Sequence, residues 1–153
     1  MSSGRIHAVL ISTKAGNVIY ERFYDPLDEA TRAEIRGAFH GASQPILMTV
    51  QDGQQYVGNY RGAPIVFMPT SDIIIYSLGS GEYNELALAQ ILQAIIRGVS
   101  DVLGKPASEA LLFEGYAQLC LTIDEVINEG MLETVNKDIV RKGTKMKVPW
   151  ESR

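Results

Sequence analysis

Residues able to do chemistry are few in this chain. It holds two histidines, His7 and His40, and one cysteine, Cys120. A structural zinc site needs four ligands at short, paired spacings, and these three residues offer none. A Cys–His nucleophile pair needs a thiolate in an electropositive, partly open setting. Cys120 stands instead between Leu119 and Leu121 in an apolar helical stretch, so a buried inert thiol is the simpler expectation. The chain has no Gly-x-Ser-x-Gly elbow for acyl transfer. The turn Gly79-Ser80-Gly81 resembles a phosphate cradle ahead of a helix. It lacks the Gly-Lys-Ser/Thr ending of a P-loop and the third glycine of a dinucleotide fingerprint, and Glu82 and Glu85 would repel an anion. A plain tight turn explains it. The carboxylates Asp124 and Glu125, with Glu129 and Glu133 beyond, are neighbours on a helix and point in different directions, which suits a solvated face better than general acid–base work. The reading at this stage is of no catalytic residue, no metal site and no cofactor.

The elements around these residues follow from their pattern. Arg5 to Ser12 is a β-rich run with little alternation, the mark of a strand covered on both faces. A turn at residues 13–17 leads to a second strand, Val18 to Tyr24. Asp25-Pro26 then predicts a helix, with Asp25 as cap and Pro26 in the first position. Its inner side is Leu27, Thr31, Ile35, Ala38 and Phe39, and Gly41 lies just past its end. Residues 41–55 are turn-rich around a short apolar piece. Three strands follow, at Gln55–Tyr60, Pro64–Met68 and Asp72–Leu78; the run Ile73-Ile74-Ile75-Tyr76 marks the last as central. A helix from Glu82 to Leu103 carries Leu88, Ile91, Leu92, Ile95, Val99 and Val102 on one face. Gly104-Lys105-Pro106 stops it, and Ser108 caps another helix running to Gly130 with Leu112, Tyr116, Leu119, Ile123 and Ile127 inward. The order β-β-α-β-β-β-α-α predicts an α+β fold: a five-stranded antiparallel sheet with one helix on one face and two on the other.

Composition narrows the class. With 153 residues, 46% hydrophobic and 21% charged, the chain has enough apolar surface for one core. A single cysteine leaves no internal disulfide, and neither a signal peptide nor a spanning segment is legible, so a cytoplasmic protein is expected. The net charge of -4 is unevenly placed. Lys137, Arg141, Lys142, Lys145, Lys147 and Arg153 make the end basic while the body is acidic, which argues against nucleic acid as a partner.

Three stretches resemble a known family. Ser77-Leu78-Gly79-Ser80-Gly81-Glu82-Tyr83-Asn84-Glu85-Leu86 is similar to the strand-to-helix junction of coatomer zeta subunits. Asp124-Glu125-Val126-Ile127-Asn128-Glu129-Gly130, then Leu132-Glu133-Thr134, looks like the helix ending shared by zeta and the adaptor sigma subunits. Ala8-Val9-Leu10-Ile11 with residues 16–25 is similar to their opening hairpin. The resemblance covers residues 5–135 and implies the longin (SNARE-like) fold, with residues 1–135 as the longin domain and 136–153 as a basic tail. Segment 41–56 differs from zeta, and the best fit is the sigma-like branch of the TPLATE (TSET) type. The resemblance implies a small subunit that packs on a large trunk-type subunit beside other coat subunits. It also implies indirect attachment to membrane, in clathrin-mediated endocytosis at the plasma membrane. A zeta-type role in Golgi–ER transport and a SNARE-like regulatory longin stay open beside it, with a small nucleotide-binding enzyme more remote. No small-molecule substrate is implied.

The tail itself invites a contact. Lys142 to Trp150 is basic, holds the one tryptophan, and contains Gly143 and Pro149, which discourage regular structure. A solvated end has no need of Trp150 or Met146, and large apolar residues of this kind serve as contact anchors. The expectation is a partner-binding tail with Trp150 as anchor and Lys145 and Lys147 meeting acidic groups. A solvated end or attachment to anionic lipid is the alternative.

Overall fold

The computed structural model describes residues 4–128 and 131–132. Five strands, β1 (Ile6–Thr13), β2 (Val18–Phe23), β3 (Tyr56–Tyr60), β4 (Ala63–Thr70) and β5 (Ile73–Gly79), form one antiparallel sheet in the order β2-β1-β5-β4-β3. The continuous apolar run of β5 does lie at its centre, and all seven of its residues are buried. The pleat sends alternate side chains to opposite faces, and β1 shows the division. Ala8 and Leu10 belong to one core, while Val9 and Ile11 belong to the other, which Ile6 joins because the register against β5 shifts between Ile6 and Ala8.

Helix α1 (Glu29–Ser43) covers the first face through Ile35 and Phe39. Phe39, Tyr76, Phe67 and Tyr56 stack in a row there, with successive centroids 5.1, 5.6 and 5.6 Å apart, spacings at which offset rings attract. The opposite face carries α2 (Glu85–Leu103), α3 (Glu109–Glu114) and α4 (Tyr116–Val126). By length and composition α2 is apolar enough to cross a membrane, yet Leu88, Ile91, Leu92, Ile95 and Val99 are all buried in the core. A pair of two-residue strands, β6 (Ile127–Asn128) and β7 (Met131–Leu132), follows α4. The architecture is the expected α+β sheet with one helix on one face and the remaining helices on the other.

Boundaries differ from the sequence reading at several points, and α1 runs through Gly41, expected just past its end, to Ser43. Helix α1 starts three residues late, because Asp28 rather than Asp25 caps it, accepting from the Thr31 amide at 2.9 Å. Asp25 is occupied elsewhere by Arg5 and His7. Helix α2 begins at Glu85, capped by Asn84, which accepts from the Ala87 amide, and ends at Gly104 with φ +77, a conformation glycine adopts without strain. The last helix is broken at Gly115, where a Cβ would stand 2.4 Å from Leu103 Cδ2. It ends at Val126, so Ile127 packs from a strand.

Candidate interaction surface

Lys145, Lys147 and Trp150 lie outside the described residues. The groups that could have carried chemistry are all within them, and their placement is informative. His40 lies in the last turn of α1 with Nε2 3.2 Å from Gln44 Nε2. Cys120 is half-buried rather than buried, on the flank of α4. Asp124 is exposed and reaches Arg22 at 3.2 Å, while Glu125 is exposed one position on. Among the described residues no group of three or more His, Cys, Asp and Glu side chains is arranged to hold a metal ion.

One arrangement was not legible in the sequence. His7, on β1, contacts Asp25 through Nδ1 and Ser80 Oγ through Nε2 at 2.7 Å. A serine, a histidine and an aspartate in a row have the connectivity of a nucleophile, a base and its orienter. The three residues are far apart in the chain and carry no local signature, so only the sheet topology reveals them. The geometry around them is that of a clasp. Arg5 Nε lies 2.9 Å from Asp25 Oδ1, and Arg5 Nη2 donates to the Tyr24 carbonyl at 2.8 Å. The Ser80 amide donates to the Arg5 carbonyl at 3.0 Å. Together these bonds fasten the start of β1, the β2–α1 connection and the β5–α2 turn to one another. The adjoining recess, about 210 Å³, is lined by His7, Asp25, Leu27, Ile35 and Tyr60, but not by Ser80.

A second concavity, about 460 Å³, opens between the β1–β2 turn and α1, over Leu10, Phe39 and Tyr76. Its one strong cation, Arg36, is already engaged. The guanidinium donates to Glu21 Oε1 and Oε2 at 2.7 and 2.8 Å and to Glu29 at 2.8 Å. These bonds, that to Glu21 first, push the Arg36 pKa further up. An anion entering there would meet a neutralised charge.

Along the other margin of β2, Tyr20 and Tyr116 rings lie 6.4 Å apart and the Arg22 guanidinium sits 5.0 Å over the Tyr24 ring. Burial pushes the Tyr20 phenol up to about 12, against the opposing pull of Arg22. Burial likewise raises Tyr24. Phenols so hard to ionise are packing groups. Tyr116, expected on the inner face of its helix, is instead the first residue of α4 after the break at Gly115 and is 43% exposed. Val102, expected inside with α2, is also exposed. With Phe113 and Leu121 these leave apolar surface on the helical side, the kind of surface that marks contact with another chain when it gathers on one face.

Comparison with known proteins places the whole chain. Residues 5–148 match the model for the clathrin adaptor complex small chain. The chain is 23% identical over 143 residues to the TSET complex member tstD of Dictyostelium discoideum, spanning 93% of each. It is 25% identical over 138 residues to human coatomer subunit zeta-1, spanning 90% of this chain and 75% of that one. Among solved structures it superposes on a chain of a homology model of the full-length AP-3 complex with a TM-score of 0.61 at 17% identity, covering 92% of this chain and 96% of that one. The fold is shared at that distance.

Proposed function

The chain belongs to the clathrin adaptor complex small chain family, and from that membership we propose that it acts as a non-catalytic small subunit of a TSET-type coat in membrane trafficking. The observation that carries this reading is a family match running from β1 into the tail, on a sheet whose two faces are both already covered. Similarity to tstD at nearly full length on both sides favours the TSET type over a Golgi coatomer role. Clathrin-mediated endocytosis at the plasma membrane is the process we assign to it, with the chain held there peripherally through its complex.

The partners are a large trunk-type subunit and the remaining coat subunits. The tail is the docking segment, with Trp150 as anchor and Lys145 and Lys147 meeting acidic groups of the partner. Affinity purification of the tagged chain from cells tests the reading. It should recover a large adaptor-type subunit together with other coat subunits. Recovery of coatomer subunits in their place would move the chain to the zeta-type role. In liposome flotation the isolated chain should stay unbound to neutral vesicles, since the membrane is reached through the complex. Binding to anionic vesicles alone, at roughly 1 kcal/mol per basic residue near the surface, would assign the tail to lipid.

A further inference from the structure

Of the eight large hydrophobic residues left exposed among the described residues, three lie close together in the chain on α3 and α4. Phe113, Tyr116 and Leu121 are 59%, 43% and 64% exposed. Ala117, one turn before Leu121, is exposed as well. The same stretch is acidic. From Pro106 to Asn128 the sequence has Glu109, Glu114, Asp124 and Glu125 and no lysine or arginine. The end of the chain is the complement: Lys137, Arg141, Lys142, Lys145, Lys147 and Arg153 are interleaved with Met146, Val148 and Trp150.

We propose that in the free chain residues 137–153 fold back across the outer face of α3 and α4. Trp150 and Met146 cover Phe113 and Leu121, and the basic residues meet Glu114 and Glu125. This rests on the reading of the tail as a docking segment and adds where that segment sits before a partner takes it. The path is set by β6 and β7. Their antiparallel pairing brings Leu132 level with Ile127, so the chain at Leu132 is turned back toward the end of α4. Trp150 comes eighteen residues later, a length that spans on the order of 23 Å as a flexible chain. Helix α4 is 11 residues long, roughly 16 Å of helix, with α3 just beyond the break at Gly115. Reach and distance agree.

The contact is weak by construction. Exposed ion pairs contribute little and are screened by salt, so a partner offering a deeper apolar seat displaces the tail. Self-docking therefore covers the apolar anchor until assembly and leaves the α3–α4 face open afterwards.

Trp150 is the single tryptophan, so its fluorescence reports the tail alone. The full chain should emit at shorter wavelength than a synthetic peptide of residues 133–153, independently of protein concentration. Phe113→Asp with Leu121→Asp should move the emission to that of the peptide, with helical circular dichroism retained. Glu114→Lys with Glu125→Lys, or salt at about 1 M, where the Debye length is roughly 3 Å, should move it part of the way. If the apolar pair of substitutions disturbs the fold, the charge reversal decides. Emission of the full chain equal to that of the peptide overturns the proposal. So does a blue shift that survives the substitutions in a folded chain, or one that grows with concentration, which would assign the tail to a second copy. None of these outcomes depends on recovering a coat partner, so this inference and the assembly reading fail separately.

Discussion

Leu92 is fully buried in a cluster of apolar side chains. Leu92→Asp should therefore destabilise the fold by several kcal/mol, since a carboxylate in a packed core is desolvated without a partner, and thermal melting checks this directly. Cys120→Ser, at the edge of the core, should lower melting only slightly, and both it and His40→Ala should leave partner recovery unchanged. Loss of recovery from either folded variant would contradict the assembly reading. Tyr20 gives a pH signature. Its phenol ionises near 10 in an unfolded chain and at about 12 in the folded one, where burial holds it neutral. The stability tied to that difference is complete below pH 10 and is lost as the pH rises through about 12. Denaturant midpoints should fall across that window, and less steeply in Tyr20→Phe. Ser80, for its part, belongs to the clasp with His7 and Asp25. Ser80→Ala should speed amide exchange at the start of β1 without altering what the chain binds.

Among the elements, those whose pattern is long and redundant were readable in advance. The isoleucine run of β5, the repeating apolar face of α2 and the stops at Gly104 and Pro106 are such patterns, and the first of them placed β5 at the centre of the sheet. The differences arise where a single residue has two possible partners. Asp25 satisfies every local rule for a cap, but the distant Arg5 and His7 claim it, and the cap passes to Asp28. Gly115 reads as an ordinary helix residue until Leu103 from α2 fills the place its Cβ would need. Only glycine fits there, the helix is interrupted at that residue, and Tyr116 next to it is exposed. The clasp was invisible for the same reason, since its members meet only through the sheet. Caps remain testable singly. Asn84→Ala should cost about 1 kcal/mol by leaving the Ala87 amide without its acceptor, measured as a shift in denaturation midpoint, whereas Glu82→Ala, outside α2, should cost nothing measurable.

For the whole molecule, the family, the fold and the element order agree with the motifs in the sequence, while the tail's role has no counterpart in the described residues and stands on charge and composition. Truncation after Asn136 should leave the domain folded and weaken recovery of the large subunit, and Trp150→Ala should reproduce part of that loss. Equal recovery of the truncated and full chains would make the tail a solvated end. The central claim, that this chain is a built-in subunit of a coat, is tested most directly by its native size. The chain alone has a mass of 16.8 kDa. Gel filtration of a gentle cell extract, followed by quantitative mass spectrometry of the fractions, should find it in a heteromer many times that mass, in equal amount with a large adaptor-type subunit. A chain that elutes at its own mass, with no coat subunit in the same fractions, would contradict the account.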